Sequence, residues 1–127
     1  MAKLQAIGAG GMPDSVLLST AQTGNGNSTD TLDRLGGLEA CLLEITTTVG
    51  ATPTVTVDVQ GTADDVGWWN VPYADIATPS TWAVAALVIT TAGTRRLILP
   101  ANIPWRGLRL VYSANTNVTT TAKVTVF

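Results

Sequence analysis

The chain has no histidine and one cysteine among its 127 residues. Without histidine, a histidine-based triad or dyad is excluded. So is a zinc site built on cysteine and histidine. Cys41 has no partner for an internal disulfide. It sits in the apolar run GLEACLLEITTTV and reads as a small buried hydrophobe. No base lies near it in sequence, so a thiol nucleophile is disfavoured. No glycine-rich loop ending in Gly-Lys-Ser or Gly-Lys-Thr is present to cradle a phosphate. The longest apolar run, WAVAALVI at residues 82–89, is far too short to cross a bilayer. The start, MAKLQAIGAGGMPDS, lacks the apolar core of a secretory leader. These absences lead us to expect a soluble protein made in a reducing cytoplasm, with no membrane partner. The Asn-X-Ser/Thr matches at Asn27 and Asn117 then carry no glycosylation meaning.

Charge is also scarce. Charged residues make up 13% of the chain, against about 25% in ordinary domains. The surface must therefore be covered by uncharged polar side chains. Such a surface suits a protein packed against other proteins, and equally a small β domain with polar faces. The net charge of −2 argues against a nucleic-acid partner. All nine acids lie between Asp14 and Asp75, whereas five of the seven bases, Arg95, Arg96, Arg106, Arg109 and Lys123, lie in the last third. This asymmetry fits complementarity between subunits or a basic patch facing an acidic partner. The alternative is that the strands interleave and mix the two sets in space.

What is present is strand pattern. One domain is expected at this length, with residues 1–13 as a glycine-rich, flexible N-terminal arm and 14–127 as a single β domain. A first strand is expected at 15–20, after which 30–37 fits either a helical turn capped by Asp30 or a short strand. Residues 38–49 place Cys41, Leu43, Ile45, Thr47 and Val49 on one face. Residues 54–60 alternate with Val55, Val57 and Val59 inward. With a turn at 50–53, these two segments read as a hairpin. Residues 82–91 are apolar on both faces and are expected to be central or to lie under another layer. Residues 107–113, with Leu108, Leu110 and Tyr112 on one side, and 119–127, with Ala122, Val124 and Val126, read as a last pair joined by a turn at 115–117. The sum is eight or nine short strands and no amphipathic helix: an all-β antiparallel sandwich of jelly-roll type.

Candidate chemistry is thin. Asp64 and Asp65 are adjacent in a turn, and neighbouring side chains diverge in extended chain, so they form a poor acid–base pair. With Asp58 they supply hard oxygen ligands for calcium, or simply a solvated turn. Four tryptophans stand out. Trp68 and Trp69 are neighbours, so one faces in and one out. Trp105-Arg106 follows Pro104 in a loop. An outward tryptophan is a ligand platform, an interface anchor or a cap on the core. We expect no catalytic residue, no cofactor, no metal and no enzyme.

The segments TVTVDVQGTADDVGWWNVPYADI, TTAGTRRLILPANIPWRGLRLVYSANT and TAKVTVF resemble those of the jelly-roll capsid cement, or decoration, proteins of tailed bacteriophages, from about Ser15 to Phe127. The resemblance implies a structural virion protein that assembles in the host cytoplasm onto the outside of the shell. It implies the major capsid protein as partner, and a homo-oligomer, dimer or trimer. Under that resemblance, contacts are expected from the arm (Lys3, Leu4, Ile7) and from Trp69, Trp105 and Arg106. Removing residues 2–12 is then expected to abolish capsid association while leaving a folded sandwich. Two other classes stay open: a carbohydrate-binding β-sandwich module, and a tail or baseplate structural subunit of a phage.

Overall fold

The computed structural model describes residues 2–7, 14–35, 41–100 and 106–127, with backbone alone at 2–7 and 33–35. Among them every regular element is a strand: β1 (Ala2–Ile7), β2 (Asp14–Gln22), β3 (Gly26–Asn27), β4 (Asp30–Leu35), β5 (Cys41–Thr62), β6 (Trp69–Asn70), β7 (Tyr73–Asp75), β8 (Trp82–Ala83), β9 (Leu87–Ile89), β10 (Gly93–Leu99) and β11 (Gly107–Val126). The all-β class is as expected. The expected eight or nine strands are replaced by eleven, several of two or three residues, because two long strands collect many short partners.

Those two strands, β5 and β11, are 22 and 20 residues long. They run antiparallel to each other from Cys41↔Val126 to Thr62↔Gly107. This overturns the two expected hairpins. Residues 50–53 and 115–117 do not reverse the chain. They lie opposite each other and bend one continuous ribbon. Register slips between Ser113 and Thr116 and between Thr116 and Val118, and Thr52, Ala114 and Asn117 take positive φ of 49°, 51° and 53°. Such bulges bend and twist a ribbon without ending it. Side chains fix the bend. Asn117 Nδ2 donates to Ala51 O at 2.6 Å. Asn115 accepts from Val118 N at 3.1 Å and donates to Val118 O at 3.0 Å.

The bend carries each long strand from one layer to the other. Residues 41–49 of β5 and 118–126 of β11 pair with β10 and β2, and β10 leads on to β7 and β8. Residues 54–62 and 107–113 pair with β9, β6, β3 and β4, and β4 carries β1. The layers close on one core that includes Leu18, Leu43, Ile45, Val57, Leu97, Leu110, Tyr112 and Val124. Tyr112 and Ser19 lie in opposite layers, and the Tyr112 hydroxyl donates to Ser19 Oγ at 3.0 Å. Burial pushes the Tyr112 phenol up to about 12.

One alternative is decided and two further expectations change. Of the 30–37 segment, Asp30–Leu35 is strand, as β4, and 36–37 lie outside the described residues. Residues 82–91 are not central: they break into β8 and β9, and Trp82, Val84 and Val88 are exposed while Leu87 and Ile89 face the core. β8 is a sheet edge and β9 is bonded on one side only, and the face carrying Trp82, Val84 and Val88 is left open to solvent. Residues 2–7, read from sequence as part of an arm, form β1 in parallel register with β4. Removing residues 2–12 would therefore strip a strand paired with β4.

Candidate functional site: the outer face around Trp68 and Arg109

The sandwich has one end where β5 finishes, β11 starts and the 63–68 connection leaves. Gly107 lies opposite Thr62 on one side and Asp33 on the other. Arg106 N donates to Thr62 O at 2.8 Å. The connection is closed by Thr62 and Asp64. Thr62 Oγ1 donates to Gly67 O at 2.6 Å and accepts from Asp65 N at 3.0 Å. Asp64 Oδ1 accepts from Gly67 N at 2.9 Å and Val66 N at 3.0 Å. The Gly67 amide first, and then that of Val66, holds the Asp64 carboxyl below the usual carboxylate range. Asp64 therefore acts as the acceptor that shapes its own turn. Among the described residues no three acidic or thiol groups converge on a point that would hold a metal ion.

The chain leaves this turn through Trp68 and β6. Asn70 lies opposite Gln60 and Trp69 opposite Gly61. On β5, Val57, Val59 and Gly61 are buried and Gln60 looks outward. By strand alternation Trp68 and Asn70 share the outward side, and Trp69 falls on the core side, at a rim where Gly61 brings no side chain. Trp69 remains 37% exposed there.

The outward side carries an ordered cluster. Arg109 lies opposite Gln60. Its Nε donates to Gln60 Oε1 at 2.9 Å, and its guanidinium carbon sits 4.2 Å from the centre of the Trp68 ring. Gln60 Nε2 donates to Asn70 Oδ1 at 3.4 Å. A stacked Arg–Trp pair at a half-exposed site is worth about 0.5–2 kcal/mol. Partial burial lowers the affinity of Arg109 for its proton.

The other late bases behave differently. Arg95 meets Asp75 at 3.4 Å. Arg96 and Lys123 flank Glu44 at 3.1 and 3.4 Å, in a row across β10, β5 and β11. Interleaving strands thus pair much of the sequence asymmetry within the chain, as one of the two readings held. Arg109 makes no ion pair with any described residue.

Of the residues singled out from sequence, Trp69 and Arg106 come to this end of the molecule. Lys3, Leu4 and Ile7 lie on the β1 edge, in register with Thr31, Leu32 and Leu35 of β4, and β4 in turn pairs Leu32 with Leu108 of β11. Trp105 lies outside the described residues. Sequence reasoning did not single out Trp68, Gln60 or Arg109 as a group. Arg109 was visible as the polar member of an alternating strand, but its register with Gln60 depends on a pairing 49 residues away.

No family model and no curated protein sequence matches the chain. Among solved structures it is similar to the SPBc2 prophage-derived protein YomS, with a TM-score of 0.64 and 10% identity, covering 91% of this chain and 96% of that one. A weaker likeness, with a TM-score of 0.45 and 12% identity, is to PirA, over 91% and 93% of the two chains. The first likeness shows a shared fold over 91% of the chain.

Proposed function

We propose that the chain is a structural subunit of a tailed-phage particle, and within that class a capsid cement protein. It would sit on the outside of the shell and tie neighbouring major capsid proteins together. The observation that carries this reading is the fold likeness, over 91% of the chain, to a prophage-derived protein. The composition agrees with it. A surface with so few charges is suited to burial against other proteins. A ribbon of two long strands running through both layers gives a stiff body. Many copies on a symmetric shell make weak individual contacts count.

The test is reconstitution. The purified chain is mixed with shells of the encoding phage or prophage that lack it, and the mixture is sedimented and imaged by electron microscopy. The reading expects saturable co-sedimentation and regular added density on the shell exterior. Recovery of the chain on tails or baseplates instead would move it to the tail class. Recovery on neither would end the structural-subunit reading.

A further inference from the structure

We infer that the Arg109–Trp68 pair is an anchor for a carboxylate side chain presented by a protein partner of this subunit. The inference rests on reading the chain as a structural subunit, and it names the chemistry of one of its contacts. Three observations support it. First, Arg109 is held in place: its Nε is taken by Gln60 and one of its faces is covered by Trp68. That leaves the two Nη groups as its remaining donors, in the planar fork that matches a carboxylate. Second, Arg109 has no counter-charge among the described residues. Arg95, Arg96 and Lys123 each meet a carboxylate, whereas Arg109 makes no ion pair with any described residue. Asp58, on the outward side of the same sheet, opposes Val111 rather than Arg109. Third, Arg109 has been partly withdrawn from water, which raises the cost of leaving a charge unpaired.

Charge complementarity selects the occupant. A phosphate site normally gathers several cations or backbone amides, and this cluster offers one arginine among neutral side chains. One carboxylate needs only one guanidinium. On a surface with so little charge, a single fixed cation sets the register of a contact more than its strength.

The experiment follows the Arg109 Nε–H and Trp68 Nε1–H signals of the intact chain by NMR. The probes are a capped pentapeptide, Gly-Ser-Glu-Ser-Gly, the same peptide with Gln for Glu, and inorganic phosphate. We expect a saturable response to the Glu peptide, with an affinity on the order of millimolar for one charged contact. The Gln peptide should bind about tenfold more weakly, as a neutral acceptor replaces a charged one. Arg109→Lys keeps the charge but loses the stacked fork, and should weaken the Glu peptide by about fivefold or more, with the rest of the spectrum unchanged. Equal responses to both peptides overturn the inference. So do unchanged binding by Arg109→Lys, a response to phosphate alone, or no response to the Glu peptide on the order of 50 mM. The assay needs no shell. A chain that binds the peptide but not particles retains the anchor and loses the cement reading. A chain that binds particles but not the peptide does the reverse.

Discussion

Gly107 is the tightest point of the sandwich end, and a methyl group placed there should be felt at once. A Cβ built on it would lie 2.8 Å from Thr62 Cγ2, 3.4 Å from Asp65 Oδ1 and 3.5 Å from Leu32 O. The first distance is below contact, and Thr62 is fully buried. Its hydroxyl is also committed to Gly67 O and to the amides of Asp64 and Asp65, so its χ1 cannot rotate without opening the turn. Gly107→Ala should therefore cost about 1–3 kcal/mol, the usual range for overpacking. Thr62→Ser keeps the hydroxyl and deletes the offending methyl. Alone it should cost about 1 kcal/mol for the lost buried carbon. In the double variant the methyl added by Gly107→Ala occupies the vacated space, so the combined loss should fall short of the sum by about 1 kcal/mol or more. Urea unfolding followed by tryptophan fluorescence reads all four proteins. Strict additivity, or a Gly107→Ala protein as stable as the parent, would refute the steric argument.

Three other consequences follow from single groups. Tyr112 is buried with its phenol pushed up to about 12 from 10.0, and a raised folded pKa gives stability that is complete below the unfolded value and is lost as pH climbs from about 10 through about 12. That loss is about 2–3 kcal/mol at about 1.4 kcal/mol per unit. Tyr112→Phe should lower stability near neutrality by about 1 kcal/mol and flatten the alkaline decline of the urea midpoint; parallel declines in both proteins would sink the assignment. Thr120 Oγ1 is fully buried with no hydrogen-bond partner among the described residues. Thr120→Val keeps the shape and removes the orphaned hydroxyl, so it should raise stability in urea unfolding by about 1 kcal/mol, and a drop would mean that the hydroxyl is satisfied. Glu44 is shared by Arg96 and Lys123. Glu44→Gln leaves two cations flanking a neutral side chain and should cost about 0.5–1 kcal/mol in low salt; the difference should shrink in about 1 M salt, where screening reaches about 3 Å, and a salt-independent loss would contradict an electrostatic origin.

The alternation of Val55, Val57 and Val59 and of Leu108, Leu110 and Tyr112 was legible because it depends on the residue itself and its two neighbours. Those positions are buried as the pattern requires. The chemistry of residues 50–53 and 115–117 was legible too, but its outcome was not. Gly and Asn in such positions tolerate positive φ, and Pro withholds a ladder donor, so the segments mark broken pairing. Whether that makes a reversal or a bend depends on what lies across the ladder. Here each irregular segment faces the other, so the kinks coincide and the ribbon turns a corner intact. Residues 82–91 misled for the same reason: an apolar run states that a strand is possible, not that a second layer covers it.

The same distinction explains the charges. Counting along the sequence separated acids from bases, and strand interleaving brought Arg95, Arg96 and Lys123 back to carboxylates. Those pairings use registers set by the whole sheet. Arg109 obeys the same register and is left with an amide and an indole. Had the sheet merely mixed its charges, an outward arginine so near Asp58 on the same face would be expected to pair with it, since one diagonal step separates their strand positions. Instead Gln60 holds it away, stacked and aimed outward. A side chain restrained by two neighbours and without a counter-ion fits an exposed contact surface better than a solvated sheet face. The pairs of Arg95, Arg96 and Lys123 thus belong to the fold's own register, and Arg109, which makes no ion pair with any described residue, marks the face through which the proposed contact would be made.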